Sequence, residues 1–342
     1  MKLNRIGAGA LLAVGLLLAA CGTPTPAPAA PAATAKPAAK QVKVAVVMPS
    51  ASNDGAFSQS MYDALKAVQA SMGGEAAMKI AVSEGMVQVP NAVAAIRDYA
   101  QQGYDLVIAH GTQYGNSLTE IAKDFPNTAF AWGTATDTFA AAGVKNVFAY
   151  NPRAQEGGYV LGVLAAKMSK SGVIGVCGPV EAGDAKTYVD GFKKGVMDTK
   201  KDAKINVTYT GSFSDVSLMA AAAETHTKAG ADILTGSSQS VVGAIGVAKD
   251  KKAIWFGTQA NQTSLAPDTV GASQVYDWTG VIKEMLDLSA KGTKGGKAFE
   301  LSLQSGGLKI VYNDKVSIPA DAKAAADAAI KGIIDGTIKP LP

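Results

Sequence analysis

The side chains best suited to covalent, metal or proton-transfer chemistry are few in this chain: two cysteines, Cys21 and Cys177, and two histidines, His110 and His226. Two imidazoles do not make the usual metal cage, and no cysteine pair or His-x-x-x-His spacing supplements them. Cys177 sits in the run Val173-Ile174-Gly175-Val176-Cys177-Gly178, where a small buried thiol is the natural reading and nothing marks a nucleophile. His110 ends an apolar run and could reach a cleft from there. A hydrogen-bonded structural imidazole is the competing reading, and no acidic or nucleophilic partner is in view. The chain has no Gly-x-x-x-x-Gly-Lys-Ser/Thr phosphate cradle, no Gly-x-Gly-x-x-Gly after its first strand pattern and no Gly-x-Ser-x-Gly elbow. The expectation is a protein that is not an enzyme and uses neither a metal nor another cofactor.

The chemistry that remains is hydrogen bonding by neutral groups. It is concentrated in segments carrying Gly, Ser, Thr, Asn or Gln, at 49–57, 84–91, 111–116, 133–138, 178–184, 211–215, 236–240 and 258–262. Such a surface suits a polar, largely neutral solute. The elements that must position these segments are read from the hydrophobic pattern. Short β-branched runs at 42–48, 78–82, 105–110, 128–132, 146–150, 173–177, 205–210, 232–235 and 253–257 predict strands, with helical stretches between nearly all of them. In residues 57–72, Met61, Leu65, Val68 and Met72 recur at helical spacing while Lys66, Gln69 and Ser71 face outward. Residues 158–168 are dense in Val, Leu and Ala and predict another helix. This rhythm predicts an α/β protein with parallel sheets covered by helices on both faces. The polar segments then lie just beyond the carboxyl ends of strands, where such sheets place their ligands.

At the start of the chain, Lys2 and Arg5 precede an apolar stretch over 6–18, closed by Leu18-Ala19-Ala20-Cys21. A basic start, a short apolar segment and small residues at a cut site read as an export signal, too short for a permanent span. The cysteine at the cut resembles a lipobox. That implies a lipoprotein signal peptide over 1–20, a lipidated Cys21 and a mature protein beginning there; an ordinary secretory signal that happens to precede a cysteine is the alternative. Residues 21–40 form a tether, almost all Pro, Ala and Thr after Gly22, which cannot bury a core and stays extended and solvated. At roughly 3 Å per residue it reaches on the order of 60 Å. The expected location is outside the cytoplasm, lipid-anchored at the cell membrane, on the periplasmic side or the outer leaflet. With Cys21 lipidated, Cys177 has no partner for an intramolecular disulfide.

About 300 residues follow the tether, enough for one large domain or two of ordinary size. No later stretch is long and apolar enough to span a bilayer. The formal charge is +4, two of the basic residues belong to the signal, and the lysines elsewhere are scattered rather than striped, so nucleic acid is not an expected partner.

The segment Ser52-Asn53-Asp54-Gly55-Ala56-Phe57-Ser58-Gln59, directly after the first strand pattern, resembles the Asn-Asp-x-x-Phe-Asn-Gln signature of the basic membrane protein (Bmp) family. Its members are lipoproteins that act as substrate-binding components of ABC importers, among them PnrA-type purine nucleoside receptors. Further matches are Asn146-Val147, Gln155-Glu156-Gly157-Gly158-Tyr159-Val160-Leu161-Gly162, Gly191-Phe192-Lys193-Lys194-Gly195, Gly211-Ser212-Phe213-Ser214-Asp215, Ala231-Asp232-Ile233 and Ile330-Lys331-Gly332-Ile333-Ile334-Asp335-Gly336. The resemblance implies a type I periplasmic binding protein fold, with two Rossmann-like lobes and three hinge crossings near 150–152, 258–261 and 305–307. The first lobe would be 41–150 plus 262–305 and the second 151–258 plus 306–342. An ABC permease with its ATPase and a small-molecule solute would be the partners, and the protein would act as a monomer.

The family's nucleoside binders stack the base between two aromatic rings, and the resemblance assigns these to Phe57 and Phe213; read as residues alone, each could instead pack a core. The polar part of that pattern is replaced. An Asp upstream of the first ring becomes Met48, the Asn after it becomes Ser58, and an Asp of the third polar segment falls at Asn116. In Gly257-Thr258-Gln259-Ala260-Asn261-Gln262 the carboxylate that would hold ribose hydroxyls becomes Gln259, and the expected lysine falls among Gln274, Val275 and Tyr276. The ligand-binding set implied is Asn53, Asp54, Phe57, Ser58, Gln59, Tyr114 and Asn116 from the first lobe, Phe213, Ser238 and Gln259 from the second lobe or hinge, and Trp278. Asn53 and Asp54 would both cap the helix at Phe57 and face the cleft. Trp132, Trp255, Trp278 and Tyr114 could add aromatic wall or lie in the core. The function implied is capture of a small flat polar solute, such as a purine nucleobase or nucleoside, by closure of two lobes. A ligand sensor or surface lipoprotein on the same fold is the alternative.

Overall fold

The computed structural model describes residues 40–341; the signal, the lipid site at Cys21 and the tether lie outside the described residues, save Lys40. The chain runs β1 (Val42–Val47), α1 (Phe57–Met72), β2 (Met78–Ser83), α2 (Val89–Gln101), β3 (Leu106–Ala109), α3 (Gly115–Asp124), β4 (Ala129–Gly133) and β5 (Val147–Pro152). It continues through α4 (Ala154–Met168), β6 (Val173–Gly178), α5 (Gly183–Thr199), β7 (Lys204–Tyr209), α6 (Val216–Lys228), β8 (Ile233–Gly236), α7 (Val241–Lys251), β9 (Ile254–Gln259) and β10 (Val270–Tyr276). Last come α8 (Thr279–Ala290), β11 (Ala298–Leu301), β12 (Leu308–Tyr312) and α9 (Ala320–Ile334).

The strands form two six-stranded sheets, ordered β11-β5-β4-β3-β1-β2 and β12-β10-β9-β8-β6-β7. The second repeats the strand order of the first. All pairings are parallel except β10 with β12. Alternation along each strand explains why both faces are covered. Val44 and Val46 of β1 join Leu106 and Ile108 of β3 in a core with Leu65 and Val68 of α1. Ala45 and Val47 point the other way, to Ile96 of α2 and Leu118 and Ile121 of α3. In the second sheet, Cys177, Leu234 and Trp255 face Met219 and Ala223 of α6 and Val241 and Ile245 of α7.

Helices α4 and α5 meet along glycines. A Cβ on Gly158 or Gly162 would run into the backbone carbonyl of Tyr188 or Phe192, and one on Gly191 or Gly195 into that of Gln155 or Tyr159. Two of the segments that carry the Bmp resemblance are therefore the two sides of one helix seam.

All nine expected strands form. The last three, β10 to β12, are additional, and β10 corrects the expected organisation. Residues 262–305 are expected with the first lobe, but Val270–Tyr276 pairs between β9 and β12 in the second sheet. The chain returns to the first sheet only afterwards, through α8, which packs against α1, and through β11. The second crossing thus lies beside Asp277, rather than at 258–261, while the chain changes sheets between β5 and β6 and again between β11 and β12.

Candidate functional site

In open parallel sheets the connections on either side of a topological switch point diverge and leave a crevice at the strands' carboxyl ends. Here the switch points fall between β1 and β3 in one sheet and between β6 and β8 in the other. A cavity of about 300 Å³ lies there, lined from the first sheet by Pro49, Ser50, Phe57, Val87, Gly111, Thr112, Gln113 and Thr134, and from the second by Asp184, Gly211, Ser212, Phe213, Ser214, Gln239 and Gln259.

Phe57 is held rigidly. It is 5 % exposed, and one face of its ring stacks on His110 at 3.8 Å between centroids and 8° between planes. His110 is fixed in turn: Nε2 donates to the Phe57 carbonyl at 3.1 Å, and Nδ1 accepts from the Tyr150 hydroxyl at 2.7 Å. Burial lowers the His110 pKa to about 3, opposed only by the bond to Phe57, so the imidazole is neutral and structural. Phe213, at 44 % exposure, presents its ring to the cavity from a loop whose carbonyl accepts from Ser238 Oγ at 2.6 Å.

At the floor of the second-sheet side, Asp184 Oδ2 accepts from Gln259 Nε2 at 3.4 Å and Tyr276 Oη at 3.3 Å. Burial raises the Asp184 pKa, opposed by Gln259, Tyr276 and the backbone N–H of Ala185. Burial and the neighbouring Asp184 charge raise Tyr276 well above the usual phenol value, so it stays a donor. Gln259 is 4 % exposed and adopts a left-handed backbone at φ 75°, as does Thr134 at 55° across the cavity. Non-glycine residues in that region cost on the order of 1–3 kcal/mol and cluster at functional sites.

Of the eleven expected ligand contacts, Phe57, Phe213 and Gln259 line the cavity. The others do different work. Asp54 is spent on capping: its carboxylate accepts from Ser50 Oγ and from the backbone N–H groups of Ala56, Ser58 and Gln59, satisfying the free N–H groups at the start of α1. Ser58 is buried and hydrogen-bonds to Ser50, while Gln59 accepts from the Gly55 N–H. Tyr114 is in the core with its hydroxyl on the Met86 carbonyl. Trp278 is fully buried, donating to Ser60 Oγ and packing edge-on against Tyr150 and Tyr276. Asn53 and Asn116 are exposed and away from the cavity, and Ser238 acts through the Phe213 backbone. Trp255 is also core, its indole N–H on Gln262 Oε1, and Trp132 braces the loop after β3 through the Gly111 and Thr112 carbonyls.

Sequence reasoning missed Asp184 and Gln239, although both stand in segments singled out as ligand-facing. Asp184 also corrects the expectation of an uncharged cleft. Its carboxylate stands within hydrogen-bond reach of Gln259 at the end of β9. Among the described residues, no group of acidic, His or Cys side chains is arranged to hold a metal, and burial pushes the Cys177 thiol up to about 12, which leaves it unreactive.

The sequence model of the PnrA-like ABC transporter substrate-binding proteins, the Bmp family, matches residues 41–340. A purine-binding protein of Brucella abortus is 28 % identical over 258 residues, covering 75 % of this chain and 71 % of that one. An ABC transporter nucleoside-binding protein of Lactococcus lactis is 26 % identical over 310 residues, covering 84 % and 85 %. The solved structure of an ABC transporter solute-binding protein from Conexibacter woesei superposes with a TM-score of 0.74 at 23 % identity, covering 88 % of this chain and 98 % of that one, a likeness of fold. Proteins of this kind are solute receptors and not enzymes; they work outside the cytoplasm with a permease and its ATPase. With two repeated sheets, a ligand-sized cavity at their switch points and a family match over nearly the whole described chain, this protein belongs to the Bmp family of ABC transporter substrate-binding proteins.

Proposed function

We propose that this receptor is tethered to the membrane by a lipid on Cys21, acts as a monomer, and captures a purine nucleobase or nucleoside for its permease. The observation that carries this reading is that Phe57 and Phe213, from opposite sheets, line one cavity. A flat heterocycle between them meets two aromatic faces, each contributing on the order of 1–3 kcal/mol. The relatives described as purine-binding and nucleoside-binding support the same class. We take the lobes to be the two sheets with their helices, the first comprising β1 to β5, α8 and β11, the second comprising α4 to β10, β12 and α9. A solute touching both lobes favours the closed form, because only a difference in affinity between two states shifts their populations.

The test is mass spectrometry of whatever copurifies with the protein, followed by calorimetry with adenine, guanine, adenosine and guanosine. The expected result is saturable one-to-one binding of at least one of the four. A copurifying solute of another class, with no heat from any of the four, would refute the reading.

A further inference from the structure

The second-sheet wall of the cavity has an unusual balance of hydrogen-bonding groups. Asp184 is the one ionisable side chain among the lining residues, and no lysine or arginine is among them. Both its side-chain donors converge on Oδ2, leaving Oδ1 without a side-chain partner. Gln259 spends its amide nitrogen on that carboxylate, which fixes the amide's orientation, since the flipped amide would set oxygen against oxygen. Its Oε1 is consequently a buried acceptor with no partner. Buried polar atoms are almost always paired, so unpaired acceptors on a cavity wall point to donors on what the cavity receives.

We infer that this wall is an acceptor site, built on Asp184 with Gln259, that selects among flat heterocycles by their N–H donors. It takes a neutral or cationic ring bearing an amino group and discriminates against the oxo counterpart. The inference rests on the proposed function for its ligand size and shape, and it narrows the solute class. A ring with an oxo group in place of the amino group sets a lone pair against these acceptors where the amino group donated, and its remaining donor, the adjacent ring N–H, is displaced from that position. Sites built to hydrogen-bond a substrate group reject analogues that lack it far more strongly than sites that only fit a shape. Tyr276 and Gln259 are positioning residues, because they hold Asp184 toward the cavity.

The experiment is calorimetry on the full-length protein with two amino/oxo pairs, adenine with hypoxanthine and cytosine with uracil, repeated on Asp184→Asn. The wild type should bind the amino member at least about tenfold more tightly than its partner. Asp184→Asn should weaken the amino ligand by about tenfold and leave the oxo ligand unchanged or tighter, since the new amide can donate to it. If the variant does not fold, the wild-type ratio decides alone. Equal binding of adenine and hypoxanthine would overturn this inference while leaving the purine reading intact. Cytosine bound over uracil with neither adenine nor hypoxanthine bound would uphold the acceptor site, and the purine reading would then stand or fall on guanine, adenosine and guanosine. Failure of all four to bind would overturn this inference, while the purine reading would still stand or fall on guanine, adenosine and guanosine.

Discussion

Replacing Gly162 by alanine should destabilise the protein, while the same replacement at Gly246 should stabilise it. Both glycines lie inside helices, α4 and α7, and neither has a positive φ. A Cβ on Gly162 meets the Phe192 carbonyl and the Val196 backbone nitrogen of α5; a Cβ on Gly246 meets nothing within 4 Å. At Gly246 the change removes only the conformational cost of glycine in a helix, a gain of about 0.8–1 kcal/mol. At Gly162 the same gain is outweighed. Overpacking costs about 1–3 kcal/mol, and the obstacle here is main chain, which has no rotamer to escape into, so the upper part of that range applies. The net loss is roughly 1–2 kcal/mol. For a lobe of roughly 150 residues melting as a unit, about 1 kcal/mol moves Tm by about 2–4 °C. Thermal unfolding followed by circular dichroism should show Gly162→Ala melting about 2–8 °C lower than the parent and Gly246→Ala about 2–4 °C higher. An equal rise in both variants would refute the claim that the α4/α5 seam depends on backbone approach.

The two aromatic rings of the cavity should separate stability from binding. Phe213→Ala, at an exposed ring, should leave Tm within about 2 °C and weaken the best purine ligand roughly 5- to 150-fold, the stacking range of about 1–3 kcal/mol. Phe57→Ala should lose binding and also about 3–5 kcal/mol of stability, since its ring is packed on His110 in the core. Acidification should destabilise the protein before most carboxylates titrate. His110 is buried and neutral with a pKa of about 3, against about 6.5 when unfolded, so its contribution is intact above pH 6.5 and falls by about 1.4 kcal/mol per unit as the pH drops toward 3. Urea midpoints measured from pH 7.5 to 4 should fall accordingly, and the His110 imidazole proton shifts should not titrate in the folded state above pH 5.

Much of the fold was legible because its strands are β-branched runs bounded by turn residues. In β1 and β3 both faces are buried, so the apolar run is continuous and stands out. Two of the three strands not anticipated, β10 and β11, lack that mark. β10 is Val-Gly-Ala-Ser-Gln-Val-Tyr, whose small and polar residues dilute the pattern, although all but one of its positions are buried. β11 is a four-residue edge strand that alternates Phe299 and Leu301 inward with Glu300 outward. Misplacing β10 moved the second crossing, because a strand that is not recognised cannot be assigned to a sheet.

The candidate site was legible as a set of loops and less so as a set of side chains. Asp54 lies beyond the end of β1, and Gln259 is the last residue of β9. Asp54 turns back to the free N–H groups of α1, while Gln259 is turned into the cavity by a left-handed backbone. Tyr114 and Trp278, adjacent to loops, are drawn inward by apolar neighbours and by a partner for their one polar atom.

By itself, the sequence determined the alternation of strands and helices, the absence of a catalytic constellation and the likeness to a receptor family, since these depend on residue type and spacing along the chain. Only the tertiary structure decided which sheet each late strand joins, and that Asp184 stands beside Gln259, 75 positions apart along the chain. The physical reason is that a side chain's direction and its partners are set by what packs around it, and residues distant in sequence become neighbours only when the sheets bring their ends together.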